Sequence, residues 1–98
     1  MSLADLVRSK LANLAAFLAE TLPEGAGLHA EIARLKGLPV PAVMAWARAE
    51  LGPVAGDLAG YAARLCESRG VDMAGIPEEA RARFVRSLEF LLAASERL

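Results

Sequence analysis

Residues 2–23 read SLADLVRSKLANLAAFLAETLP, and the spacing of the apolar residues in this stretch decides the fold. Leu3, Val7, Leu11, Leu14, Leu18 and Leu22 recur every three or four positions, which is the period of a helix and not of a strand. Asp5, Ser9, Asn13, Ala16 and Glu20 fill the opposite face. Ser2 can cap the first turn while Asp5, three residues on, reaches back, the pattern of a capping box. Pro23 cannot continue the helix. The expectation is a helix over 3–22, with Leu6 and Phe17 widening its apolar arc beyond one core contact.

Four more helices follow from the same logic. Glu24 to Gly27 reads as a loop, and a second helix covers 28–36, closed by Gly37. Pro41 suits the first turn of a third helix over 41–51, and Gly52-Pro53 punctuates the chain. A fourth helix is expected over 53–69 with Gly70 past its end. Its face of Gly56, Gly60 and Ala63 suggests that another backbone approaches closely there. Pro77, with Glu78 and Glu79 in the first turn and Arg97 in the last, frames a fifth helix over 77–97. Phe84, Leu88, Leu91, Leu92 and Ser95 form its core stripe, and Phe90 lies off that stripe. The fold class expected is all-α: a compact bundle of about five helices in one domain, 1–98.

Composition bounds the function. The 98 residues are 55% hydrophobic but only 5% aromatic. Alanine and leucine favour helix, and β-branched residues that would build strands are scarce. Eleven basic residues stand against 12 acidic ones, without the basic excess that phosphate binding asks for. The longest uncharged run, Gly37–Ala47, holds two prolines and falls well short of the ~20 apolar residues that span a bilayer. A mixed-charge polar face on the first helix argues against a membrane-surface helix. Asp5 precedes any apolar run and no basic segment leads it, so a secretory signal is not expected. Cys66 is the single cysteine and has no internal disulfide partner. A cytoplasmic setting fits it.

Catalytic and metal chemistry lack their materials. A structural zinc site draws four ligands mainly from Cys and His, and this chain has one of each. His29 has no Glu three residues before it, as a di-metal bundle would need. It reads as a partly exposed residue at a helix start. Cys66 sits at the edge of an apolar stripe, where a small thiol packs well. Glu78-Glu79 is helix-start electrostatics, and Gly25-Ala26-Gly27 lacks the lysine and strand of a phosphate loop. No catalytic, cofactor-binding or metal-ligating residue is expected, and the chain does not read as an enzyme.

The segment Glu31-Ile-Ala-Arg-Leu-Lys-Gly-Leu-Pro-Val-Pro-Ala-Val-Met-Ala-Trp46 resembles the helix-turn-helix motif of bacterial regulators. Ala33 stands where the two helices would touch, Gly37 at the turn, and Val43 and Trp46 at core positions of the second helix. The resemblance implies base contacts from Pro39, Val40, Pro41, Met44, Ala45 and Arg48, of which only Arg48 can donate to a base edge. Arg34, Lys36 and Arg48 would be the DNA-binding cations.

The apolar surplus points elsewhere. Pro39, Val40 and Met44 put greasy side chains at the tip of that segment. Leu6 and Phe17 widen the first helix, and Phe90 sits on a shoulder of the fifth beside Arg83 and Ser87. Arg81 falls inside the fifth helix's apolar arc and needs a carboxylate or a route to water. Leu6, Phe17, Pro39, Val40, Met44 and Phe90 are therefore the expected interface of a small interaction module, paired with itself or another protein. DNA binding is the alternative.

Overall fold

The computed structural model describes residues 2–21, 27–68 and 70–97. These hold five α-helices, α1 Leu3–Thr21, α2 Gly27–Lys36, α3 Val40–Leu51, α4 Leu58–Glu67 and α5 Glu78–Arg97. Short 3₁₀ turns at Gly52–Val54 and Met73–Gly75 join the later helices, and there is no strand among the described residues. The all-α expectation holds. The expected end of the first helix at Leu22–Pro23 and residues 24–26 of the expected loop lie outside the described residues, as do Arg69 and Leu98; Gly27, expected to end that loop, is the first residue of α2.

The helix starts are made by local chemistry. The Ser2–Asp5 box forms in both directions: Asp5 N–H donates to Ser2 Oγ at 3.2 Å, and Ser2 N–H donates to Asp5 Oδ2 at 3.3 Å. Pro39, extended at φ −60° and ψ 149°, leads into α3 with Pro41 in the first turn. Pro77 precedes α5, and its carbonyl accepts from Arg81 N–H at 3.1 Å. Gly70 closes α4 with φ 78°. Its N–H donates to the Glu67 carbonyl and the Val71 N–H to the Cys66 carbonyl, the paired closure that glycine in the left-handed region allows.

The expected fourth helix, 53–69, is corrected. The chain forms a 3₁₀ turn at 52–54, breaks at Gly56-Asp57, and restarts as α4 at Leu58. Asp57 is the reason: at φ −151° its carboxylate accepts from Gly60 N–H at 3.0 Å, capping the new helix. A cap on the orphan N–H groups competes well with an unbroken helix across two glycines. Gly60 then has a local role. A Cβ there would run into the Asp57 carboxylate, and Gly56 faces open space. Neither glycine marks the close approach of another backbone.

Packing centres on α5, which carries α1, α3 and α4, while α2 lies on α1. Val7, Leu11, Leu14 and Leu18 of α1 are buried, as are Val43, Met44, Ala47 and Leu51 of α3. Phe84, Leu88, Leu91 and Ser95 of α5 meet them. Phe17 stacks on Phe84 with centroids 4.5 Å apart and planes 10° from parallel. The radius of gyration, 12.8 Å, is that of a compact chain of this length, about 13 Å. Arginines from neighbouring helices close two helix ends. Arg8 Nη1 donates to the Lys36 carbonyl at 3.2 Å, and Arg48 Nη1 to the Ser95 carbonyl at 2.6 Å. Both carbonyls are in the last turn of a helix, where no intrahelical donor is available.

Truncation of Phe84 to alanine should cost about 3–5 kcal/mol. A double-mutant cycle with Phe17→Ala should show a coupling of about 0.5–1.5 kcal/mol for the stack. Denaturant unfolding measures both; additive losses would mean the rings do not touch. Asp57→Ala should lower stability by about 1 kcal/mol through loss of the cap, read by the same method.

Candidate functional site

The residues expected at the surface divide into three groups. Phe17 and Met44 are not surface residues at all: they are 8% and 1% exposed. Phe17 fills the seam between α1 and α5 by stacking on Phe84. Met44 points with Val43 and Ala47 into the core, because these positions face α5. Phe90 is half-buried and packs against the core edge, with Lys10 Nζ 5.7 Å from its ring centroid. It shares a shallow 140 Å³ depression with Leu3, Ala93, Ala94 and Arg97. Ser87, expected beside it on the surface, is buried and donates to the Arg83 carbonyl at 3.1 Å. Leu6 and Val40 are half-buried and Pro39 is exposed. The six residues do not form one surface.

The cations of the helix-turn-helix resemblance are mostly engaged within the chain. Arg34 pairs with Glu31 at 2.6 Å, and this hydrogen bond holds the Glu31 carboxyl below its ordinary pKa. Arg48, the one expected base reader, spends its guanidinium on the end of α5. Lys36 is exposed at the end of α2. Of the two helices in the motif, α2 packs on α1 and α3 on α5, with little contact between them. Ala33, the expected touching point, is exposed. Val43 is buried and Trp46 half-buried, as core positions should be. Gly37 does not take a left-handed turn. Its N–H and that of Leu38 donate three residues back to Arg34 and Leu35, so α2 ends in a tightened last turn.

His29 is half-buried in the first turn of α2, beside Ala15, Leu18, Ile32 and Lys36 around a cleft of about 210 Å³. Its Nε2 has no hydrogen-bond partner. No group of three or more His, Cys, Asp or Glu side chains converges on a metal-sized site among the described residues. Cys66 is buried in α4. Burial, and then the neighbouring Glu67 carboxylate, push its thiol up from the ordinary range.

A broad concave surface lies elsewhere, between α4 and α5. It encloses about 470 Å³. Ala59 and Ala63 of α4 and Ala82 and Val85 of α5 give it an apolar floor, and Glu78, Arg81, Arg86 and Glu89 rim it. The small residues of α4 leave the groove open: with methyl groups at 59 and 63, α4 cannot fill the space beside α5. None of the four rim charges has an ion-pair partner among the described residues. Elsewhere Arg34, Arg64 and Arg83 are paired with carboxylates, while Arg8 and Arg48 hold carbonyls. Arg81 is half-buried, and its Nε is buried without an acceptor. Two signals for this groove stand in the sequence: the small residues of the fourth helix, and an arginine set inside an apolar arc.

The chain matches no protein-family model, no curated protein and no solved structure.

Replacing Arg48 with Gln should lower stability by about 0.5–1 kcal/mol, the exposed setting reducing what a charged hydrogen bond is otherwise worth; a chemical melt measures it. The Cys66 thiol should resist thiol reagents in the folded protein and react on adding denaturant. Its raised pKa also sets a sign. Its contribution is intact below the ordinary thiol pKa of about 8.5 and declines as pH rises through the folded value. Cys66→Ala should flatten that part of the stability–pH curve.

Proposed function

We propose that this chain is a small, non-enzymatic protein-interaction module whose docking face is the groove between α4 and α5. The observation that carries the reading is the pairing of an apolar floor with four unpartnered charges. Contiguous apolar surface on a small protein marks an interaction site more often than scattered exposed residues do. Charged groups with no internal partner on its rim give such a site orientation and choice of partner. Arg81, half-buried beside the apolar floor without an ion-pair partner, is a group that an incoming carboxylate would match.

The alternative, a helix-turn-helix regulator, draws less support. It would need Arg34, Lys36 and Arg48 free to meet phosphates and bases, and two of the three are engaged within the chain. Phe90, Leu6, Pro39 and Val40 are secondary to the groove as contact residues. We place the module in the cytoplasm, where a reducing environment suits an unbridged, buried Cys66. No helix among the described residues is long and apolar enough to cross a membrane.

The test is a photo-activated cross-linking residue placed at position 63 in the groove and, separately, at Ala30 on the exposed side of α2. Irradiation in cells should give a discrete protein adduct from position 63 and none from position 30. Equal labelling from both positions, or none from either, would remove the groove as a docking face.

A further inference from the structure

We infer that the occupant of the α4–α5 groove is a second copy of this chain, with α5 laid antiparallel on its own image about Val85, so that Arg81 of each copy meets Glu89 of the other. The inference rests on the reading of the groove as a docking face and adds the identity of the partner.

The order of rim charges along α5 is Glu78, Arg81, Arg86, Glu89, negative, positive, positive, negative. The pattern is a palindrome. α5 itself carries both signs, so a second copy can answer part of this order. Self-pairing about the midpoint of the palindrome fails, because Arg81 would face Arg86 and Glu78 would face Glu89. Moving the two-fold axis to Val85 removes this conflict. Arg81 lies four residues before Val85 and Glu89 four after, each about 6 Å along the helix axis. An antiparallel partner therefore brings Glu89 opposite Arg81. Two-fold symmetry makes the contact twice. The carboxylate meets the guanidinium of Arg81, which has no ion-pair partner within the described residues. Charge-assisted pairs of arginine with carboxylate are among the stronger hydrogen bonds and fix geometry as well as affinity.

The apolar part of the groove agrees with this register. Val85 sits at the axis and would meet its own image. Ala82 flanks it on α5, and Ala59 and Ala63 of α4 leave room for the second α5 to approach. Arg86, on the far flank, is exposed and can stay in water beside the axis.

Sedimentation equilibrium of the purified full chain, alone and with charge reversals, tests the register. The wild type should be dimeric. Arg81→Glu and Glu89→Arg should each raise the dimer dissociation constant about 100-fold or more, since each places like charges together twice. Combining both reversals in one chain should restore the dimer. Mixing the two single variants should give a heterodimer in which both contacts are again opposite in sign. These rescues separate lost pairing from lost folding, and unchanged far-UV circular dichroism of each variant supplies the control. A chain that stays monomeric at millimolar concentration overturns the inference, as does a dimer indifferent to both single reversals. If the wild type is monomeric while position 63 still cross-links to a different protein, the docking face stands and self-pairing falls. If position 63 gives no adduct at all, the docking face falls too.

Discussion

Burial of the Phe84–Leu88–Leu91–Ser95 stripe of α5 is the constraint on which the rest of the molecule depends. Three helices share that one element: α1 and α3 cover most of its inner face, and α4 takes what is left. The seam with α1 is where the largest side chains meet, in the stack of Phe17 on Phe84. In a chain with three phenylalanines, one tryptophan and one tyrosine, that stack is a large share of the aromatic surface available for burial. The remaining core is built from leucine, valine and alanine, which pack densely but leave little margin: an 80–100-residue domain holds few spare kcal/mol. Ser87 and Ser95 can sit inside it because each hydroxyl donates back to a carbonyl of its own helix.

The helix ends show a second economy. Glycine in a left-handed turn closes α4, but α2 and α5 rely on arginines reaching across from α1 and α3. Such a bond does two things at once. It satisfies an orphan carbonyl at the negative end of the helix dipole, and it ties two helices that already pack together. The cost falls on the surface, since a guanidinium engaged in this way is not offered to a ligand. Arg48, the residue of α3 expected to read bases, thus holds the end of α5.

The exposed face of α4 and α5 is what this packing leaves over. α4 is short because Asp57 restarts it, and its residues facing the groove are alanines, so the α4 side of α5 stays partly open. The four charges that line the gap have no ion-pair partner among the described residues, whereas Arg34, Arg64 and Arg83 are paired. Unpaired charge and bare methyl groups meet there in one groove.

How much of this was legible in the sequence follows from the range of each interaction. The period of Leu3, Val7, Leu11, Leu14 and Leu18, the Ser2–Asp5 cap, the prolines before α3 and α5, and Gly70 after α4 all act within a turn or two. They determined the number, type and approximate limits of the helices. The capping competition at Asp57 is local too, but a proline-led helix across Gly56 and Gly60 was an equally regular reading. Tertiary structure decided the rest. An apolar arc wider than one contact does not say whether its edge faces water or a second helix, so Phe17 and Met44 looked like surface and are core. Nor could spacing along the chain foresee that Arg48 would reach Ser95, 47 residues away, or that Ala59 and Ala63 would lie open beside Val85. Helices are written in neighbouring residues; which faces stay uncovered depends on how the helices share one another, and that is settled only when they pack.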